Sequence, residues 1–134
     1  MNGRVVLEVP AKAEFLLLAR LAATGVGRSA GASEETIADL KLAVTEAVAN
    51  AVRHAYPADD PGRVLVELSA GGGKLEIAVS DEGRGLGGAE TQPQGEQQGE
   101  GGMGLSIIRA IADEVDVGAG ADGRGTRVRF ACLL

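Results

Sequence analysis

The chain has 134 residues, of which 45% are hydrophobic and 24% charged, a balance that suits one soluble globular domain with a buried core. A net charge of -6, no Lys/Arg run and only three aromatic residues (Phe15, Tyr56 and Phe130) exclude a phosphate-tracking patch and a base-stacking platform, so no direct nucleic-acid partner is expected. No uncharged stretch is long enough for a membrane span, Glu8, Lys12 and Glu14 interrupt any signal-peptide core, and the single Cys132 cannot form an internal disulfide. The expected setting is a reducing cytoplasm.

Arg4 to Val9 reads as a short strand stopped by Pro10. Ala11 to about Thr24 is rich in Ala, Leu, Lys and Arg and predicts a helix ending near Gly25 and Gly27. Ser33 has the form of an N-cap, with Glu34 and Glu35 where the helix dipole favours acids, and the helix it starts extends to Ala55 before Pro57. Arg63–Ser69 and Lys74–Ser80 are β-rich runs around Ala70-Gly71-Gly72-Gly73, a hairpin pattern. Asp81 to Gly104 is glycine-rich and nearly free of apolar side chains, with a low-complexity centre at 92–98. Too little chain follows it for a second domain, so a functional lid is the preferred reading. Leu105 to Glu114 suits a short helix, and 115–117 and 126–134 suit two closing strands. Strands mostly neighbour strands in this order, which predicts one α+β domain over 1–134: a mixed, mainly antiparallel sheet with about three helices on one face.

The second helix carries the first chemical signal. At 100° per residue, Ile37, Leu40, Val44, Val48, Ala51 and Ala55 form a core stripe, whereas Glu46, Asn50 and His54 line up on another side among Ala43, Ala47, Ala49 and Val52. An isolated E-x-x-x-N spacing is usually a solvated face with Lys41 or Arg53 as companion charges, and a lone His54 near a helix end usually caps carbonyls. The row gains meaning from the glycine loops that follow. Asp81-x-Gly83-x-Gly85 stands at a strand end, where a carboxylate can accept a hydrogen bond from an exocyclic amine and the bare glycine backbone admits a flat ring. Adenine has an amine where guanine has a carbonyl, so such a site favours adenine. Gly101-Gly102-Met103-Gly104 opens the third helix and offers main-chain N–H groups to an anion. The literal G-x-G-x-x-G matches at Gly83/Gly85/Gly88 and Gly99/Gly101/Gly104 lack the strand–turn–helix setting of a dinucleotide site, and there is no G-x-x-x-x-G-K-[ST] loop.

Taken in order, Glu46-x-x-x-Asn50, Asp81-x-Gly83-x-Gly85, Gly102-x-Gly104 and Gly125-Thr126 resemble the boxes of the GHKL (Bergerat-fold) ATP-binding superfamily. The string from Leu42 to Tyr56, the Pro10-Ala11 step and the Gly102-Met103-Gly104-Leu105 turn resemble more specifically its bacterial anti-sigma-factor serine/threonine kinases. The resemblance spans essentially the full chain. It implies a two-layer α/β sandwich that binds ATP (or ADP) with Mg²⁺, sequesters an RNA polymerase sigma factor and phosphorylates a serine on an anti-anti-sigma antagonist. By the same resemblance Asn50 holds Mg²⁺ and Glu46 orients or deprotonates the serine hydroxyl. Asp81 reads adenine with support from the Thr126 hydroxyl, and Gly83 and Gly85 shape the base pocket. Gly102, Met103 and Gly104 meet the phosphates, and about 87–101 forms the ATP lid. A homodimer is expected from the family alone.

The sequence departs from the pattern at Glu100, where some of these kinases carry an arginine, and the lid has no Lys or Arg between Ala89 and Gly102. Arg84 and Arg109 are the nearest cations in sequence that could act on the γ-phosphate instead. The competing expectation is a nucleotide-gated protein-binding regulator with little kinase activity. A detached histidine-kinase catalytic domain is the third reading, disfavoured because the lone histidine sits on the second helix.

Overall fold

The computed structural model describes residues 3–54, 62–82, 105–120 and 125–134. Strand β1 (Gly3–Pro10) leads through a 3-10 turn at Ala13–Phe15 into helix α1 (Leu16–Ser29), followed by α2 (Glu34–His54), β2 (Arg63–Gly71) and β3 (Lys74–Asp81). A short helix over 105–111 (α3), β4 (Glu114–Ala119) and β5 (Thr126–Leu133) complete the described order. The strands form one five-stranded sheet in the order β1-β2-β3-β5-β4.

All four pairings among the described residues are antiparallel, so the α+β sheet seen there is antiparallel throughout rather than mixed. The reason is topological. β3 and β4 run in the same direction, but β5 lies between them and pairs with both, so no parallel ladder forms. The β2–β3 turn is tight: Gly71 faces Lys74, and Gly72 and Gly73 take φ of 62° and 79°. Positive φ at both central residues matches the twist of the flanking strands, and glycine takes it without strain.

The first helix outruns its expected end. Gly25 and Gly27 lie inside α1 rather than beyond it. Gly27 is buried where α1 crosses α2, and a Cβ there would stand 3.0 Å from Ile37 Cγ1, so its bare backbone serves helix approach. The helix stops at Gly31 (φ 82°), whose N–H donates to the Arg28 carbonyl while Ala32 N–H reaches the Gly27 carbonyl. That is the Schellman closure of a helix end. At the start of α2, the Thr36 N–H donates to Ser33 Oγ at 3.1 Å, the expected N-cap. α3 is shorter than expected. Asp113 already belongs to the sheet side, its N–H donating to the Ala131 carbonyl and its carboxylate accepting the Leu133 N–H at 2.7 Å.

The core lies between the helices and one sheet face. Val64, Val66 and Leu68 of β2, Leu75, Ile77 and Val79 of β3, and Val128, Phe130 and Cys132 of β5 alternate onto that face and are buried. They meet Leu40, Val44, Val48 and Ala51 of α2 and Ala19 and Ala23 of α1. The expected α2 stripe is buried from Ile37 to Ala51, with Ala55 outside the described residues. The other sheet face is laced with charge: Arg129 pairs with Glu76, Glu114 and Asp116, and Arg4 pairs with Glu67. α2 packs directly on β2, β3 and β5, so the helix that carries the polar row rests on the strands that end in Asp81 and begin at Thr126.

Candidate functional site

α2 carries Glu46 and Asn50 one turn apart, both half-buried. Their neighbours Ala43 and Ala47 are fully buried, so the row lies at the border between core and solvent. Asn50 Oδ1 accepts a hydrogen bond from Arg53 Nη2 at 2.9 Å. An amide oxygen has two lone pairs, so this bond leaves one for a further ligand. His54 closes the helix, but its side chain lies outside the described residues.

Asp81 is the last residue of β3 and points to the helix side of the sheet. At 8% exposure it is the buried charged residue among those described. Burying a carboxylate demands partners, and one of them is the Thr126 backbone N–H, which donates to Asp81 Oδ1 at 3.3 Å. This contact is made by the Thr126 main chain, beside the role toward adenine that the resemblance gives its hydroxyl. The preceding Gly125 explains how the two come together. It has φ of 68°, and a Cβ there would stand 1.8 Å from the Asp81 carbonyl oxygen. The β5 start therefore presses backbone to backbone on the β3 end, an approach that any larger residue would block.

The structure thus joins Asp81 to Thr126 and keeps Glu46 and Asn50 on one helix that packs on both of their strands. Gly83, Gly85, Gly102, Met103 and Gly104, and the lid at about 87–101, lie outside the described residues. Sequence reasoning missed two features. Gly125 was read only as part of a motif, and its positive φ has no signature beyond the glycine itself. Arg53 was read as a surface charge, although its spacing three after Asn50 is a contact spacing on a helix.

The donor set fits a nucleotide with a hard divalent cation rather than a protein-built metal cage. No group of three or more His, Cys, Asp or Glu able to hold a metal occurs among the described residues. Such a cation would take an amide oxygen here and draw its other ligands from water and phosphate, the habit of Mg²⁺. On the sheet, the Asp116 hydrogen bond holds Arg129 further above its ordinary range, and burial pushes the Cys132 thiol up to about 11.

Comparison with known proteins converges on one family. The histidine kinase-like ATPase domain matches residues 9–132. A serine-protein kinase RsbW from Listeria monocytogenes serotype 4a (strain HCC23) is 38% identical over 124 residues, covering 86% of this chain and 79% of that protein. An RsbW from Bacillus licheniformis is 39% identical over 120 residues, covering 83% and 75%. Among solved structures, that of the RsbU and RsbW domains of Rv1364c from Mycobacterium tuberculosis superposes with a TM-score of 0.73 at 25% identity, covering 98% of this chain. The chain spans 32% of that longer protein. No described helix is long and apolar enough to cross a membrane. With the family match over residues 9–132, the sequence identities and the fold in agreement, the chain belongs to the histidine kinase-like ATPase domain family, among the RsbW serine-protein kinases.

Proposed function

We propose that this kinase binds ATP with Mg²⁺ and transfers the γ-phosphoryl group to a serine hydroxyl of an anti-anti-sigma antagonist, holding an RNA polymerase sigma factor once that antagonist is phosphorylated. The observation that carries the reading is the pairing of a carboxylate and an amide, Glu46 and Asn50, on a helix packed against the strands of Asp81 and Thr126. The role of each follows from its chemistry. Asp81, fixed by the Thr126 N–H, accepts the exocyclic amine of adenine and so sets the base. Asn50 supplies an oxygen to Mg²⁺, which when bound neutralises phosphate charge. Glu46 accepts the proton of the serine hydroxyl as its oxygen bonds to the γ-phosphorus and the bond to the bridging oxygen of ADP breaks. Gly83 and Gly85 shape the base pocket, and the Gly102-Met103-Gly104 main chain meets the phosphates under a lid at about 87–101. The protein works in the cytoplasm, and a homodimer is the proposed assembly.

A second reading rests on Glu100, which replaces the basic lid residue of some relatives by resemblance: a nucleotide-gated regulator that captures partners with little transfer. The two part cleanly in one experiment. Incubation with labelled Mg·ATP and a cognate anti-anti-sigma antagonist should place label on a serine located by mass spectrometry. Nucleotide-dependent capture of the antagonist without label would support the second reading and reject the first.

A further inference from the structure

A serine kinase must hold the chain that carries the serine as well as the reacting hydroxyl, and the row on α2 does not stop at Glu46. Leu42, Glu46 and Asn50 recur every fourth residue. Each therefore lies about 40° round the helix and about 6 Å along it from the one before. The turn before Glu46 presents Leu42, which keeps 44% of its surface in solvent. Among the described residues it is the exposed large hydrophobic side chain of α2. Ala38 and Ala49 share its side of the helix and are small, and the Thr45 hydroxyl beside it already donates to the Lys41 carbonyl at 2.6 Å. A single exposed leucine is ordinary on a protein surface. This one stands a turn from the carboxylate that receives the serine proton.

The geometry of an extended chain connects the two positions. Such a segment advances about 3.3 Å per residue and returns to the same side at every second residue. With its serine hydroxyl on Glu46, the side chain two positions away reaches the turn of Leu42, about 6 Å off. An apolar side chain there removes both itself and Leu42 from water.

We infer that Leu42 is a specificity-determining residue for the acceptor, docking an apolar side chain two positions from the serine that the antagonist offers. The assignment rests on the reading of Glu46 above and adds which serines qualify. Proton removal alone would accept any exposed serine; Leu42 favours one in an extended run with an apolar residue at position −2 or +2.

The test measures kcat and KM for transfer to a cognate anti-anti-sigma antagonist by the wild type, Leu42→Ser and Leu42→Met, with calorimetric Mg·ATP affinity and thermal melting alongside. Leu42→Ser is expected to raise KM for the antagonist about tenfold, the loss of a covered leucine side chain, with kcat and Mg·ATP affinity within about twofold. Leu42→Met, similar in volume and polarity, should keep KM near the wild-type value. On the antagonist, a serine substituted for the apolar residue at one of the two positions should raise KM likewise, and Leu42→Ser should then add little. An unchanged KM in Leu42→Ser overturns the inference and leaves the kinase reading standing. A fall in kcat or in Mg·ATP affinity at constant KM overturns it too, because Leu42 would then act on Glu46 or the nucleotide rather than on the acceptor. Full additivity with both antagonist substitutions, or an acceptor serine with polar residues at both positions, has the same force. A wild type that transfers no phosphate overturns the Glu46 reading and the inference together.

Discussion

The Thr126 N–H donates to Asp81 Oδ1 at 3.3 Å across the seam where β5 begins and β3 ends. Because β3 and β5 are paired in the sheet from Lys74–Leu133 to Ser80–Arg127, the contact extends the ladder by one side-chain bond. It holds a buried carboxylate at the sheet rim. A carboxylate oriented by main chain keeps its direction, which is what the proposed reading of adenine requires. Asp81→Asn, similar in shape but without the charge, should weaken ATP binding about tenfold to a hundredfold and erode the preference for adenine over guanine nucleotides. Competition titration with ATP and GTP measures both.

Gly125 makes that contact possible, and its substitution separates crowding from backbone conformation. Gly125 and Gly72 both have positive φ, 68° and 62°, but only at Gly125 would a Cβ collide, at 1.8 Å from the Asp81 oxygen. Gly72→Ala should cost about 1 kcal/mol, the left-handed penalty alone. Gly125→Ala should cost at least about 2 kcal/mol and weaken nucleotide binding as Asp81 shifts. Chemical denaturation of the two variants gives the comparison, and equal losses would argue against the close approach.

Much of this was legible before any coordinates. Ser33 as a cap, the Ile37–Ala51 stripe and the alternation of Val64, Val66 and Leu68 follow from local periodicity, which the tertiary structure keeps. The failures are equally physical. Gly25 and Gly27 looked like a helix stop, yet the packing of Gly27 against Ile37 and Leu40 outweighs glycine's weak propensity and carries the helix past both, and the true stop needed Gly31 in a left-handed conformation. The sheet was expected to be mixed because strand order is a long-range property; nothing local says that β5 inserts between β3 and β4. Within the candidate site, the motif residues could be named from their resemblance to the ordered boxes of a known family. The main-chain nature of the Thr126 contact and the Asn50–Arg53 bond could not, since both depend on side-chain placement.

Phe130 anchors the helix-facing side of β5 and has no exposed surface. It pairs with Ile77 on one side and Val115 on the other, so its ring ties the central strands to the edge. Phe130→Ala should destabilise the fold by about 3–5 kcal/mol through lost transfer energy and a residual cavity. Urea unfolding measures it. A loss below about 1 kcal/mol would mean that the core is not organised around this residue.

Cys132 gives a pH signature. Burial, with smaller contributions from the Asp113 and Asp39 carboxylates, raises its thiol from 9.0 to about 11. The folded state thus keeps its proton where the unfolded chain has lost it. Stability is full below pH 9 and declines as pH rises through 11, by up to about 3 kcal/mol for two pH units. Cys132→Ala should lack that decline, so the difference between the two proteins' pH profiles isolates it. The native thiol should also resist alkylation at pH 8 until the protein unfolds.

The central claim is that α2 divides its labour, with Asn50 serving the nucleotide and Glu46 serving the serine. Glu46→Gln tests it most directly, in parallel measurements of Mg·ATP affinity and of phosphate transfer to the antagonist. The account predicts affinity within about twofold of the wild type and transfer lowered by about 10²–10⁴, the range of a lost general base. Transfer kept at the wild-type rate, or a loss of transfer matched by an equal loss of Mg·ATP affinity, would contradict it.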